Sequence, residues 1–379
     1  MRQRKASLIC FRKFYEKRGH EHLARHEICA KACSKRTIGR DDEFEREKIL
    51  TARKPSNYLS AQLMRWWGNR IAPHGKGQGR LCVINYHRIV EYPDPLLESE
   101  PDVKSFRWQM ELLADCFNVL PLYDAVHALA DERMPPRAVS ITFDDGYRSV
   151  HDFALPILKE LGLPATVFVA TRYMHGGRMW NDTILEAIRR LPAGNLDLRG
   201  IGLGLHPLTS LQDRKHTINA LTGSAKYLAP DARQAVAQKL AGLVSQDLPP
   251  GEMLTPDEIV TLARNGVEIG GHTINHPILT CLADDIAMQE IAGCKQELES
   301  IIGRPVRLFA YPNGKFGMDY DERHVQMVKD AGYAAAFSTA LGAATGQHDR
   351  FELPRSRPWG STQLMYGVHL LRWLAGVGK

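Results

Sequence analysis

No run of this sequence approaches the length of about twenty apolar residues that a membrane-crossing helix needs, so no spanning segment is expected. The apolar stretch Ser7-Leu8-Ile9-Cys10-Phe11 is too short for the core of an export signal, and no small-residue cleavage site follows it. Cysteine is sparse and unpaired in its spacing: seven residues, at 10, 29, 33, 82, 116, 281 and 294, give no disulfide framework and fit a reducing compartment. His22, His26, Cys29 and Cys33 have a spacing that zinc tolerates, but no second close pair of ligands supports such a site. Large apolar residues are scarce over 1–54, which is crowded with Arg, Lys and Glu and could not build a core.

What is present is the composition of a globular protein. The 379 residues are 44% hydrophobic and 24% charged, enough to bury one large or two smaller cores. The net charge of +6 favours anionic surroundings, and much of the excess lies near the start. Three regions are expected: a basic extension over 1–77, a main domain over 78–360 with an insertion at about 175–251, and a helical tail over 361–379. A charge run is usually a solvated face, so no nucleic-acid partner is expected.

Apolar, β-branched runs alternate with helical periodicity along the main domain. Strands are expected at 81–86, 119–120, 138–143, 165–169, 267–269, 308–310 and 335–338. A helix over 149–160 should kink at Pro156. Thr255-Pro256-Asp257-Glu258 carries the cap, first-turn proline and following glutamate of a helix start. Residues 351–355 read as an edge segment. No confident strand is found in the insertion. Seven alternations imply a parallel sheet, open or closed, with sites at the carboxyl ends of the strands.

The chemistry-bearing residues fall at those ends. Asp144 and Asp145 follow the third strand, where two adjacent carboxylates repel each other and lose solvation unless a cation relieves them. His272 and His276, separated by three residues, follow the fifth strand and can face one point. Carboxylate with two imidazoles is an ordinary donor set for zinc or a similar divalent ion, with one position left for water. His87 ends the first strand, and Tyr311-Pro312-Asn313-Gly314 forms a turn after the sixth.

Thr142-Phe143-Asp144-Asp145-Gly146 and His272-Thr273-Ile274-Asn275-His276 together resemble the first two motifs of the polysaccharide deacetylases, the NodB-homology domain of carbohydrate esterase family 4. The resemblance runs from about Cys82 to Arg355. It implies a distorted (β/α)7 barrel of parallel strands, here with a mainly helical insertion. By residue, it implies a zinc-type metal on Asp145, His272 and His276, and Asp144 as the general base that activates metal-bound water. The backbone N–H of Asn313 would serve the oxyanion. The substrate would be an N-acetylated hexosamine in a polysaccharide, glycolipid or lipid-linked glycan.

Two positions depart from that family. Ala310 stands where an arginine often contacts the base, and Arg355 is the expected replacement from the neighbouring strand end. The family's late histidine, its general acid, has no counterpart, since Val368-His369-Leu370 lies in the helical tail. His87 is the candidate, with a structural bond to a loop carbonyl as its alternative. These departures keep two other readings open: a hydrolase of a small or cyclic amide, and a glycan-binding member that turns nothing over. A cytoplasmic enzyme at the inner face of the membrane, touching lipid through its basic start or its tail, reconciles thiols and envelope substrate. The oligomeric state is left open.

Overall fold

A computed structural model describes residues 58–71, 79–175, 177–357, 360 and 362–377. His22, His26, Cys29, Cys33 and most of the expected basic extension lie outside them. Within that extension, Tyr58–Ile71 forms a helix, α1. It packs Ala61 and Met64 on the main core, with the Met64 thioether against Gly367.

The main sheet is built from β1 (Arg80–Tyr86), β2 (Asn118–Val119), β3 (Ala138–Phe143), β4 (Ala165–Val169), β7 (Glu268–Gly271), β8 (Leu308–Ala310) and β9 (Ala335–Phe337), with a short β10 (Ala344–Thr345). Its order is β10-β1-β3-β4-β7-β8-β9, with β2 beside β3, and all pairings except β10 with β1 are parallel. The two ends of the row from β1 to β9 are joined by residues 353–356. Leu353 exchanges hydrogen bonds with β9 (to Ala336 O, and from Ser338 N), and Ser356 does the same with β1 (to Val83 O, and from Asn85 N). The segment expected as an edge therefore closes the barrel.

The two-residue alternation of the strands sorts their side chains. Leu81, Val83, Ala138, Phe168, Leu308, Ala335, Phe337 and Leu353 form one cluster, joined by Leu122, Val126 and Leu129 of α3 (Leu122–Ala130). Cys82, Ile84, Val139, Ile141, Val167 and Phe309 belong to a second, covered by α2 (Val103–Cys116), α4 (Leu155–Leu161), α8 (Pro256–Arg264), α9 (Asp284–Ile302), α10 (Glu322–Asp330) and α11 (Gln363–Leu374). Apolar residues on both faces are what make these strands continuous hydrophobic runs.

Helix boundaries follow local chemistry. Thr255 Oγ1 accepts from Glu258 N while the Glu258 carboxylate accepts from Thr255 N, the reciprocal cap expected of α8. The single helix expected over 149–160 is instead a π-helical turn, Val150–Ala154, running into α4. Pro156 sits in the first turn of α4, where its missing N–H is harmless, so the irregularity falls just before it.

Between β4 and α8 lie α5 (Trp180–Arg190), α6 (Leu211–Ala225) and α7 (Pro230–Ala241), with a two-stranded antiparallel sheet of β5 (Asn195–Asp197) and β6 (Leu205–Pro207). The sequence showed no confident strand here: Asn195-Leu196-Asp197 and Leu205-His206-Pro207 are mostly exposed and lack the apolar run that marks the barrel strands. Ile184, Ile188, Leu208, Leu221, Ala237 and Leu240 give this region its own core. No helix among the described residues is long and apolar enough to cross a membrane.

Candidate metal centre and active site

The register brings the site to one level. Tyr86 pairs with Phe143, Val169 with Gly271, and Gly271 with Phe309, so His87, Asp144, Ala170 and His272, the first residues past their strands, lie level with Ala310, the last residue of β8. They surround the mouth of the barrel, where a cavity of about 660 Å³ is lined by His87, Asp144, Asp145, His272, His276 and Asn313, among others.

Asp144 continues the alternation of Ser140 and Thr142, and its buried carboxylate is fully engaged. Arg355, from the closing segment, donates Nη1 to Oδ1 at 2.6 Å and Nη2 to Oδ2 at 2.8 Å, and Asn85 Nδ2 adds a bond to Oδ2 at 3.1 Å. Burial pushes this carboxyl up, but the Arg355 guanidinium, helped by His272, holds it below the usual range.

Asp145 has the opposite surroundings. The chain turns into the left-handed region there (φ 72°), and Oδ1, fully buried, accepts no hydrogen bond among the described residues. It faces His272 Nε2 at 3.5 Å and His276 Nε2 at 3.4 Å. His272 Nδ1 lies 2.7 Å from Ala310 O, which fixes that nitrogen as a donor and turns Nε2 toward Asp145; burial pushes this imidazole down, but Asp144 and Asp145 more than offset it and hold its pKa above the usual value. Burial, partly opposed by Asp145 and reinforced by His272 and Arg233, pushes His276 down to about 3. A buried carboxylate oxygen that accepts no hydrogen bond among the described residues and faces two imidazole nitrogens fits a cation, and one ligand atom from each residue falls within 4.8 Å of the others. Asp145, His272 and His276 thus suit a divalent ion.

Thr273, His276 and Asn313 also adopt positive φ (65°, 52° and 58°), a cost of about 1–3 kcal/mol each that clusters where a loop is held for function. The Asn313 turn is pinned by Thr339, whose N donates to Gly314 O and whose Oγ1 donates to Asn313 O. None of these bonds uses the Asn313 N–H. The His87 Nδ1 is buried without a partner among the described residues, so the structural bond to a loop carbonyl is not made there through that nitrogen. His369 lies on α11, away from the cavity lining.

Sequence reasoning missed the polar support. Arg88 is buried in an ion pair with Asp182 of the insertion, lies 3.9 Å over the Tyr147 ring, and shares Asp182 with the Tyr147 hydroxyl (2.9 Å). Burial disfavours its charge, but Asp182 and Tyr147 more than offset this and hold the guanidinium above its usual range. Glu290 of α9 accepts from Ile274 N, Asn275 N and Asn275 Nδ2 behind the histidine loop. The only signal in the sequence was Arg88 following His87 at a strand end; Asp182, Glu290 and Asn85 carried none.

A family model described as polysaccharide deacetylase matches residues 131–336, more than half of the chain. The chain belongs to the polysaccharide deacetylase family. It is therefore a hydrolase of carbon–nitrogen bonds other than peptide bonds. It is 24% identical over 280 residues to the poly-β-1,6-N-acetyl-D-glucosamine N-deacetylase of Staphylococcus epidermidis, covering 67% of this chain and 91% of that one. Two solved structures share the fold of this deacetylase. Streptococcus pyogenes deacetylase PplD, in complex with acetate, superposes with a TM-score of 0.51 at 19% identity, over 78% of this chain and 98% of that one. IcaB from Ammonifex degensii gives 0.50 at 18%, over 79% and 100%. The distorted (β/α)7 barrel expected from the motifs is the fold observed.

Proposed function

We propose that the deacetylase removes N-acetyl groups from a poly-N-acetylglucosamine-like glycan, with a divalent metal, zinc by donor chemistry, on Asp145, His272 and His276. The observation that carries this reading is the unlike environment of two neighbouring carboxylates. Asp145 Oδ1 is left without a partner before two imidazoles, while Asp144 is tethered by Arg355 and Asn85. The glycan class comes from the staphylococcal relative.

When bound, such an ion supplies a Lewis acid for the amide carbonyl and lowers the pKa of water. The protein's own groups supply the rest. Asp144 takes a proton from the attacking water, and Arg355 keeps it ionised for that step. The Asn313 N–H donates to the oxyanion formed at the carbonyl. His87 gives a proton to the leaving amine, so that amide and water end as amine and acetate.

The same reading has the enzyme working on the cytoplasmic side at a membrane surface. Cys82, Cys116, Cys281 and Cys294 are free thiols, and α1 and α11 expose Leu63, Trp66, Trp67, Leu364, Met365 and Val368.

The test is acetate release from β-1,6-linked N-acetylglucosamine oligomers by chelator-stripped protein, with and without zinc or cobalt. Metal-dependent acetate, absent from Asp144→Asn, is expected. Metal bound without acetate from any N-acetylated glycan would overturn the reading in favour of a small-amide hydrolase or a binder.

A further inference from the structure

We infer that Arg233, a residue of the insertion, is a positioning residue for the histidine loop, so that the insertion is keyed to the metal centre as well as to the substrate side of the cavity. The inference rests on the proposed role of Asp145, His272 and His276 as metal ligands.

The two histidines are oriented in different ways. His272 has its ring fixed from behind, by Nδ1 against Ala310 O. His276 does not: its Nδ1 is buried with no partner among the described residues. Its ring direction therefore depends on the backbone that carries it, and that backbone is strained, with φ of 65° at Thr273 and 52° at His276. Such conformations persist only where neighbours over-determine them.

The neighbours come from two sides. From the barrel, Glu290 accepts the N–H groups of Ile274 and Asn275. From α7 of the insertion, Arg233 donates Nη1 to His276 O at 3.0 Å and Nη2 to Asn275 O at 2.7 Å, and Tyr173 Oη adds a bond to Asn275 O at 3.3 Å. The loop is thus held by a carboxylate on its N–H side and a guanidinium on its carbonyl side.

Arg233 has little other purpose. It is 2% exposed, forms no ion pair among the described residues, and stacks 4.8 Å over the Trp180 ring. Burying a guanidinium is costly unless its donors are met. Here both terminal nitrogens are met by two successive carbonyls, a spacing that suits the planar fork, whereas a lysine would offer one nitrogen to both. By linkage, whatever steadies His276 in its bound direction also steadies the seat of α7 on the loop.

The experiment measures zinc affinity by competition with a chromophoric chelator in the full chain, for the parent, Arg233→Lys, Arg233→Gln and Leu221→Ala. Leu221 lies in the insertion's own core and is not among the residues that line the cavity, so it reports general loosening. Arg233→Lys, verified as folded by circular dichroism, is expected to bind zinc about 10–100-fold more weakly, the range for losing a group that orients a ligand. Arg233→Gln is expected to lose as much or more, and Leu221→Ala to melt earlier with unchanged zinc affinity. Amide exchange in α7 should slow when zinc is added to the parent, and not in Arg233→Lys. Parent-like zinc affinity in folded Arg233→Lys, or equal weakening by Leu221→Ala, would overturn the inference and leave the metal centre standing. A parent that binds no divalent metal would overturn both.

Discussion

Arg355 and Asp144 meet through a two-point ion pair, both guanidinium nitrogens on both carboxylate oxygens, with each side chain almost wholly out of solvent. Arg355 arrives from the segment that closes the barrel, 211 residues later in the chain. Replacing it with methionine leaves a buried carboxylate uncompensated, and a loss of about 3–5 kcal/mol in denaturant unfolding is expected. Arg355→Lys keeps the charge but not the fork. It should fold and bind metal, with turnover down about 100-fold through misplacement of the base. Unchanged turnover in Arg355→Lys would show that the second hydrogen bond is dispensable.

The two aspartates should separate by assay. Asp145→Ala or His272→Ala is expected to lose metal and activity together, as measured by elemental analysis and acetate release. Asp144→Asn should retain metal and lose about 10²–10⁴ in turnover. Full activity in Asp144→Asn would remove it from the reaction.

Gly271 ends β7 directly before His272, and a Cβ there would fall 2.2 Å from the Tyr333 hydroxyl. Gly271→Ala is expected to cost about 1–3 kcal/mol by overpacking and to weaken metal binding by shifting His272. Adding Tyr333→Phe removes the nearest atom and should recover part of both losses, which thermal melts and chelator competition of the double variant will show.

His324 lies fully buried at the start of α10, where its Nδ1 accepts the backbone N–H of Asp321 at 3.1 Å. Burial, only partly opposed by Asp321, holds its pKa below the usual value. An unfolded chain takes up that proton near pH 6.5, so His324 favours unfolding progressively as pH falls below that point and is neutral in effect above it. The stability of the parent relative to His324→Gln should therefore shrink between pH 7 and pH 5. A constant difference between them would show that His324 does not titrate on unfolding.

Most of the barrel was legible because its strands are apolar on both faces. β3, β4 and β8 fall where 138–143, 165–169 and 308–310 were expected, and β1 within a residue. β5, β6 and β10 were not, since Asn195-Leu196-Asp197, Leu205-His206-Pro207 and Ala344-Thr345 lack the wholly buried apolar run that marks the equally short β8 and β9. The site was legible where motifs carry it: the structure brings Asp144, Asp145, His272, His276, His87 and Asn313 to one cavity, with Arg355 behind Asp144. Asp182, Arg233 and Glu290 were silent, and Arg88 was marked only by following His87 at a strand end. A lone charged residue reads as surface, and only packing shows that these four lie between the insertion, α9 and the strand ends.

Residues 353–356 join β9 to β1 and deliver Arg355 in the same step. A ribosome-bound chain that has not yet emerged to this point already contains every earlier strand, with Asp145, His272 and His276. It would have the means to seize a metal ion, but its barrel would gape between first strand and last, and Asp144 would lack its counter-charge. On the proposed reading, hydrolytic competence is thereby deferred until residues 353–356 have been made, and a product terminated before them would carry the three proposed metal ligands beside a proposed base without its counter-charge.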